Sequence, residues 1–301
     1  WSHGGRTEKT DQSGWFSWKC GRILSGGFQW QTTGIKLAPL LSRNATVSYE
    51  TCLYDADKMN GEEIRNMNEW NRIWGNRSSD IVISDNIFDM FCKLKKADGF
   101  DTQDVDGYYE AFFSQWKHMV EHITQNVGDI SSVYEVGCGS GVNLYLFQQL
   151  KKVTQVGGCD YSQTQIALAK KILNANDLQC MEADQIAEKP VYDVVLSDSV
   201  FQYFQSPEYG MRVVEKMWNK AKKMVVITEI HDEEMKEEHL NHRRQCVENY
   251  DEKYKGLDKT FYTKEMFLQF ADRARAKCEF VKPQNDLYWN NKYVFDCYLT
   301  K

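Results

Sequence analysis

Short apolar runs alternate with helix-like segments from Ser132 to the end of the chain, and this alternation limits the possible folds more than any other feature. The segments between the runs repeat apolar residues every three or four positions, which indicates amphipathic helices. Repeated strand and helix units predict an α/β fold: a doubly wound, mostly parallel sheet with helices on both faces. Four runs have the length of strands: VYEV (133–136), VTQVGGCD (153–160), YDVVLSD (192–198) and KMVVITEI (223–230).

Two of the helices have N-terminal signals, and the last two strands have a short connection. Ser162 and Gln165 form a capping box that fixes the start of a helix through QTQIALAKKILNA. Ser206 and Pro207 supply an N-cap and a first-turn proline for a helix that runs to about Ala221. Only PQNDLYWNN separates CEFVK from KYVFDCYLT, which is too short for a helical crossover, so an antiparallel hairpin is expected.

The chain divides into three regions by pattern. Residues 1–65 have no sustained period and form an extension of unknown role, and residues 66–130 form a helical lead-in. The lead-in contains an apolar stripe and then a second amphipathic helix over Tyr108–Val127. Residues 131–301 form the domain with the sheet, which includes a helical insert at about 232–262. The stripe consists of Ile83, Ile87, Met90, Phe91 and Leu94.

Composition excludes some classes of partner. The formal net charge of -6 argues against nucleic acid, because binding phosphates requires clustered Lys and Arg. No apolar run approaches the ~18 residues that a membrane span needs, so no membrane association is expected. Nine dispersed cysteines without a CxxC pair favour reduced thiols and a cytoplasmic location. Sequons at Asn44 and Asn76 leave a secretory location open, and the start at Trp1 leaves open a missing upstream segment.

The segment Glu135-Val-Gly-Cys-Gly-Ser-Gly141 follows the first strand and precedes a helix. A glycine-rich turn at that point presents backbone N–H groups to an anionic or polar ligand with little steric hindrance. The dinucleotide fingerprint GxGxxG would require a third glycine where Val142 stands, which weakens a nicotinamide interpretation. The pattern present is ExGxGxG, with an acid two residues before the first glycine.

Residues from about 68 to 300 resemble the class I S-adenosylmethionine-dependent methyltransferases that modify small molecules. EVGCGSG matches that family's first motif, and GCDYSQTQI, MEADQI and YDVVLSDSVFQYF follow in the family's order. The expected terminal hairpin also agrees, since the family's last strand is antiparallel. The resemblance implies a Rossmann-like methyltransferase sheet, a methyltransferase activity, and S-adenosyl-L-methionine as the cofactor.

The resemblance implies that Asp160 takes the ribose hydroxyls of the cofactor and that Asp184 contacts its adenine amino group. A carboxylate suits vicinal hydroxyls because it accepts two strong hydrogen bonds. The glycine turn suits the cofactor's carboxylate, and Glu135 either orders the turn or takes the ammonium group. The expected cofactor-binding residues are Glu135, Gly137, Gly139, Gly141, Asp160, Tyr161, Asp184, Gln185, Ser197 and Ser199.

Candidates for the acceptor side lie after the fourth and fifth strands. His231 is the candidate catalytic base, and its neighbour Asp232 would orient the imidazole and raise its basicity; a surface histidine is the alternative. Arg243 and Arg244 suggest an anionic group on the substrate, although a solvated charged face would also explain them. The expected substrate-binding residues are Tyr109, Gln202, Tyr203, Arg243, Tyr250 and Tyr254.

No metal site is expected. His118 and His122 share a helical face, but neither an HExxH acid nor a third ligand accompanies them.

The function expected from the sequence is therefore methyl transfer to an O or N atom of a small-molecule metabolite. A protein or other macromolecule methyltransferase is one alternative; DSVFQYF stands where an Asn-Pro-Pro-Tyr type segment would favour it. A scaffold that binds S-adenosylmethionine without catalysis is another. The sequence leaves the acceptor and the oligomeric state undetermined.

Overall fold

The computed structural model describes residues 81–100 and 106–301. The predicted extension, residues 1–65, and the first part of the predicted lead-in lie outside the described residues.

The described residues form the alternating elements that the sequence predicts. The strands are β1 (Ser132–Val136), β2 (Gln155–Asp160), β3 (Asp177–Cys180), β4 (Tyr192–Asp198), β5 (Ala221–His231), β6 (Lys277–Val281) and β7 (Val294–Thr300). The helices are α1 (Ile87–Ala97), α2 (Tyr108–Val127), α3 (Val142–Lys151), α4 (Gln163–Ile172), α5 (Pro207–Lys220), α6 (Lys236–Cys246), α7 (Tyr250–Lys253) and α8 (Lys264–Ala274). Short 3-10 turns lie at Ala183–Gln185, Phe201–Tyr203, Glu233–Met235 and Trp289–Tyr293.

The seven strands form one sheet in the order β3-β2-β1-β4-β5-β7-β6. Strands β1 to β5 pair in parallel, while β7 is antiparallel to both β5 and β6. Successive strands are added on one side of β1 (β2, then β3) and then on its other side (β4, then β5), so the strand order reverses between β1 and β4. Ligands of doubly wound sheets bind at the carboxyl edge beside such a switch point. This arrangement confirms the predicted fold class and the predicted antiparallel hairpin.

Alternate residues of each central strand enter two separate hydrophobic cores. On β5, Met224 and Val226 pack into the core beneath α1 to α4, whereas Val225 and Ile227 pack into the core beneath α5 and α8. Consecutive side chains of a strand point to opposite faces, so an apolar run is required when helices cover both faces. The continuous apolar middle of this strand therefore reflects its place at the centre of the sheet.

The predicted helix starts are confirmed, and one predicted stripe is too long. Ser162 caps α4 by accepting the Gln165 N–H at 3.3 Å, and Ser206 caps α5 by accepting the Tyr209 N–H at 3.2 Å. Helix α1 begins only after its N-cap Asn86. Ile83 consequently lies outside the helix and is exposed, because the Asn86 side chain accepts the Asp89 N–H and ends helical pairing there.

The described cysteines are all free thiols, and within the described residues no helix is both long and apolar enough to span a membrane.

Gly210, in the first turn of α5, allows the fully buried Tyr262 ring to approach the helix. The Tyr262 hydroxyl donates to the Phe201 carbonyl at 3.0 Å, inside the core beneath α5 and α8. A Cβ at position 210 would overlap the tyrosine ring and its hydroxyl.

Gly210→Ala should therefore destabilise the protein, although alanine is the better helix former. We expect a loss of roughly 1–3 kcal/mol in the free energy of unfolding by urea, the range for overpacking a core. Adding Tyr262→Phe should recover part of this loss by removing the nearest atom. A Gly210→Ala variant as stable as the wild type would contradict this packing.

Candidate active site

The glycine segment folds into a tight turn between β1 and α3. Gly137, Gly139 and Gly141 have φ of 72°, 50° and 83°, the left-handed region that glycine adopts without strain. A Cβ at Gly137 would overlap the Val200 side chain, and one at Gly139 would lie 2.7 Å from Asp98 Oδ1. The three glycines are thus required both by conformation and by close approach.

Asp160, the last residue of β2, holds the turn in place. Its Oδ2 accepts the Gly139 N–H at 2.9 Å, and its Oδ1 accepts the Ser162 N–H at 2.8 Å. Burial raises the pKa of Asp160 to about 6, while these two N–H donors oppose the rise. At neutral pH the carboxylate is mostly ionised, and each oxygen has lone pairs left to accept further hydrogen bonds.

Asp98, just after α1, contacts the same turn from the opposite side, and the sequence did not identify it. Its carboxylate accepts both the N–H and the hydroxyl of Ser140, each at 2.8 Å. Burial raises the pKa of Asp98 to about 7 against these hydrogen bonds. The glycine turn is therefore bound between two carboxyl groups, one from β2 and one from the lead-in.

Below the turn, Glu135 and Asp198 share one amide. Asn143 Nδ2 donates to Glu135 Oε1 at 2.7 Å and to Asp198 Oδ2 at 3.0 Å. Burial raises the pKa of Glu135 well above its usual range. Burial would also raise the pKa of Asp198, but Lys95, whose Nζ lies 3.6 Å away, and hydrogen bonds from Thr228 and Asn143 lower it. Burial therefore favours the protonated form of Glu135, while Lys95 and the hydrogen bonds favour the ionised form of Asp198.

A bulge near the end of β5 turns two consecutive side chains toward the same cavity. The pairing of β5 with β7 shifts register between Ile227 and Ile230, and Glu229 has a φ of 56°. Bulges of this kind redirect side chains beside functional sites. Thr228 and Glu229 both line a small cavity together with Lys95, Phe112, Gln115, Trp116, Met119, Asn143, Asp198 and Asp296.

Glu229 and Asp296 give this cavity a second pair of buried acids. Asp296 Oδ1 accepts the Glu229 N–H at 2.9 Å, and Glu229 Oε2 has no partner within the described part of the chain. Burial, with the Asp198 charge nearby, raises the pKa of Glu229 to about 7. The pKa of Asp296 is raised well above its usual range, chiefly by burial.

The other predicted cofactor residues have different surroundings. Ser197 is fully buried, and its hydroxyl donates to the Val136 carbonyl at 2.9 Å, which ties β4 to β1. Ser199 has a φ of 59° and lies at the carboxyl edge, where its hydroxyl accepts the Gln202 amide at 3.1 Å. Tyr161 directly follows Asp160. Asp184 and Gln185 form the 3-10 turn after β3, and the Asp184 N–H lies 3.3 Å from the Tyr209 hydroxyl.

His231 ends β5 in a buried aromatic cluster. Its ring is 2% exposed, and its centroid lies 4.7 Å from that of His239 and 5.1 Å from that of Phe261. Burial lowers the pKa of His231 well below its usual range, and nearby His239, Lys259 and Arg243 lower it further. The imidazole is thus neutral at pH 7.

The expectation that Asp232 orients His231 and raises its basicity is wrong. The Asp232 carboxylate pairs instead with Lys264 at 2.5 Å and accepts the Glu234 N–H at 3.2 Å. Burial of the imidazole is the larger effect, and it acts in the opposite direction on the His231 pKa.

Arg243, on α6, extends over the rings of the predicted substrate residues. Its guanidinium carbon lies 4.8 Å from the ring centroid of Tyr254, 5.2 Å from that of Tyr250 and 5.7 Å from that of Trp289. Its neighbour Arg244 is exposed and pairs with Asp251 at 3.1 Å. The sequence pointed to both arginines, but only Arg243 belongs to the aromatic cluster.

The segment after α7 brings Lys259 to the same place. The Thr260 N–H donates to the Gln202 carbonyl at 3.0 Å, and the Tyr262 N–H donates to the His231 carbonyl at 2.8 Å. Lys259 Nζ lies 3.4 Å from the ring centroid of Tyr203. Backbone hydrogen bonds to the ends of β4 and β5 therefore fix a lysine that sequence pattern did not distinguish from its charged neighbours.

Two predicted substrate residues have mainly internal contacts. Gln202 is buried and donates to the Ser199 carbonyl at 2.9 Å. Tyr109, on α2, donates its hydroxyl to the Phe100 carbonyl at 2.7 Å, which links α2 to the segment after α1.

Comparison with known proteins identifies the sheet region. Residues 134–226 match a family model described as a methyltransferase domain. The malonyl-[acyl-carrier protein] O-methyltransferase of Brevibacillus brevis is 24% identical over 144 residues, which are 41% of this chain and 52% of that protein. The protein of the same name from Haemophilus influenzae is 31% identical over 81 residues, 27% of this chain and 31% of that protein. The chain thus spans about half the length of the Brevibacillus relative and about a third of the length of the Haemophilus relative.

Solved structures share the fold. The plantazolicin methyltransferase BpumL in complex with SAH superposes with a TM-score of 0.51 at 16% identity, covering 71% of this chain and 93% of that chain. The same enzyme with a triazolic desmethylPZN analog and SAH also gives 0.51 at 16% identity, covering 78% and 99%. At this identity the likeness establishes the shared architecture.

Glu229→Gln should make the protein more stable at alkaline pH. The pKa of Glu229 is raised from its ordinary 4.5 to about 7, so the folded chain keeps a proton that the unfolded chain releases. Its stabilising contribution is fully present below the unfolded pKa and is lost as pH rises through about 7. We expect the variant to gain roughly 1–3 kcal/mol in unfolding free energy near pH 8, and less near pH 5.

Urea unfolding at a series of pH values measures this difference. Glu215→Gln, on the exposed face of α5, is the matched control and should leave the pH profile unchanged. A Glu229→Gln profile parallel to that of the wild type would show that Glu229 is not protonated in the folded state.

Proposed function

Since the chain contains a domain of the class I methyltransferase family, we propose that it transfers a methyl group from S-adenosyl-L-methionine to an oxygen or nitrogen atom of a small-molecule acceptor. The observation that carries this proposal is the turn of three left-handed glycines, bound to Asp160 beside the switch point between β1 and β4.

The residues of the site fit this cofactor. The three glycines adopt left-handed φ angles without strain, so the turn can present its backbone N–H groups to a ligand. Val200 and Asp98 fill the space beside Gly137 and Gly139 and hold the turn in this shape. The turn also begins α3, whose N-terminus favours a carboxylate. Asp160 can accept hydrogen bonds from ribose hydroxyls in addition to the two N–H groups it already binds. Glu135 Oε2, buried and without a described partner, is a polar atom close to the turn that the cofactor could bond.

Further residues would hold the cofactor around this turn. Asp184 and Gln185, after β3, would face its adenine, and Tyr161 would lie beside its ribose. Ser199, at the end of β4, would border its methionine part. Asp98 and Asn143 position the turn and the acids below it, so they act on the cofactor indirectly.

The bound cofactor supplies a methyl group already activated by its sulfonium charge. The protein must therefore align the acceptor and take up any proton that the acceptor loses. His231 suits the uptake of a proton from the acceptor, because its imidazole is neutral at pH 7 and its Nδ1 has no partner within the described chain. We assign proton uptake to that nitrogen.

An enclosed, aromatic acceptor side supports a small molecule over a macromolecule. The rings of Phe261 and of His239 on α6 lie against His231, and Trp289 stacks on His239. The curated relatives are named for O-methylation of malonyl-[acyl-carrier protein], which is consistent with a compact acceptor group.

Asp160→Asn should weaken binding of S-adenosylhomocysteine by roughly 10- to 100-fold, because an amide replaces one acceptor oxygen and the charge. Isothermal titration calorimetry measures the dissociation constant. Asp272→Asn, on the exposed surface of α8, should bind like the wild type. Equal affinity of Asp160→Asn and the wild type would show that Asp160 does not bind the cofactor. No binding of S-adenosylhomocysteine by the wild type would refute the proposed function.

His231→Gln should lower kcat by roughly 100-fold or more, without changing the affinity for S-adenosylhomocysteine. The assay follows label from methyl-labelled cofactor into fractionated cell extract, with exposed His118→Gln as the control. Label in the small-molecule fraction supports the proposal, and label in protein alone supports a macromolecule acceptor. Cofactor binding without any transfer would identify a scaffold.

A further inference from the structure

A cluster of basic and aromatic side chains surrounds His231, the residue to which proton uptake is assigned. It contains two histidines, an arginine and a lysine, which come from β5, α6 and the segment after α7. We define the basic pocket by His231, His239, Arg243, Lys259 and Asn290.

Three buried polar atoms in this pocket have no hydrogen-bond partner within 3.5 Å among the described residues, although the Asn290 side chain lies near enough to both histidines to oppose the lowering of their pKa values. They are Nδ1 of His231, Nδ1 of His239 and Oδ1 of Asn290, whose residues are 2%, 1% and 3% exposed. Buried polar groups are nearly always hydrogen-bonded, so three such atoms together indicate a place for a polar ligand. A metal ion is a weaker candidate than a polar ligand for this pocket, since no group of three metal-binding side chains occurs in the described chain.

The guanidinium of Arg243 gives the pocket a positive charge, and a bound anion would also favour the protonated forms of its basic neighbours. Burial lowers the pKa of Lys259 well below its usual range, and the guanidinium of Arg243 lowers it further. Burial lowers the pKa of His239 to about 4, with Arg243 and Lys259 acting in the same direction. Each basic group thus disfavours protonation of the others, and a bound anion would relieve this repulsion.

Aromatic rings form the walls of the pocket. The Trp289 and His239 rings stack at 5.6 Å with an angle of 23°, and the Phe261 ring lies 5.1 Å from that of His231. The ring centroid of Tyr203 lies 3.4 Å from Lys259 Nζ. Such walls suit a flat, apolar body that carries a polar group at one end.

The pocket adjoins the carboxyl edge of the sheet. Lys259 precedes Thr260, whose N–H is bonded to the Gln202 carbonyl, and His231 is the last residue of β5. A molecule seated against Arg243 and Lys259 would therefore present its other atoms to the His231 imidazole.

We propose that the acceptor is a small aromatic molecule with an anionic group, a carboxylate or a phosphate, which Arg243 and Lys259 bind in the basic pocket. The proposal rests on the proposed function, since it assigns the acceptor of that same site. Carboxylate and phosphate share the chemistry that a guanidinium and an ammonium recognise.

The test compares four probes that share a phenyl ring and differ in the charge of its substituent. Benzoate, phenyl phosphate, benzamide and benzylamine are titrated calorimetrically into the full chain, with and without saturating S-adenosylhomocysteine. We expect one of the anions to bind at least roughly tenfold more tightly than neutral benzamide, and benzylamine to bind most weakly. Whether benzoate or phenyl phosphate binds more tightly identifies the anionic group.

Variants locate the effect. Lys259→Met and Arg243→Gln should each remove most of the preference for the anion, whereas Lys259→Arg should keep it because the charge is kept. Arg244→Gln is the matched control, because Arg244 is exposed, pairs with Asp251 and should contribute nothing to the preference. Unchanged affinity for S-adenosylhomocysteine shows that each variant is folded.

Equal binding of benzoate, phenyl phosphate and benzamide would overturn the inference, as would a preference that survives in both Lys259→Met and Arg243→Gln. Titrations without S-adenosylhomocysteine keep the two conclusions apart. An anion preference in a chain that does not bind S-adenosylhomocysteine would support the pocket and refute the methyltransferase assignment.

Discussion

The hydrogen bond from the Gly139 N–H to the Asp160 carboxylate is the interaction on which the rest of the site depends. It joins the turn after β1 to the end of β2, and so fixes where α3 begins. That start places Asn143 over the buried acids Glu135 and Asp198. A change at Asp160 would consequently alter the backbone of the turn, the first turn of α3 and the acids below it together.

The second constraint is the bulge at the end of β5, which separates two electrostatic environments. In a regular strand Thr228 and Glu229 would point to opposite faces, but here both line the acidic cavity. His231, two residues later, lies among basic and aromatic side chains instead. Acidic groups thus collect beneath the glycine turn and basic groups collect beside the end of β5.

These environments also set opposite pH responses. Glu229 and Asp98 have raised pKa values of about 7, so their contributions to stability are lost as pH rises. His231 and His239 have lowered pKa values, so their contributions are lost as pH falls below the ordinary histidine value. The buried titratable groups of the site therefore contribute most to the stability of the folded chain at mildly acidic to neutral pH.

The sequence predicted those parts of the fold that depend on local pattern. Strand β4 and helix α2 have the predicted bounds, and the caps at Ser162 and Ser206 form as expected. Local signals are sufficient there because apolar periodicity and capping act over a few residues.

The rest of the site depends on contacts between distant segments. Asp98 reaches Ser140 across the chain, and Lys259 is placed by backbone bonds to the ends of β4 and β5. Neither position carries a motif, so residue type alone did not distinguish them. The direction of the His231 pKa was mistaken because burial, which sequence does not reveal, has a larger effect than the adjacent Asp232.

Amide hydrogen exchange of the full chain, with and without S-adenosylhomocysteine, tests directly whether the glycine turn and Asp160 bind the cofactor at the carboxyl edge of the sheet. We predict that the amides of residues 137–141 and 160–162 exchange more slowly when the ligand is added, since these groups would be covered and held rigid. Unchanged exchange in both segments, while the ligand binds and slows exchange elsewhere, would contradict it.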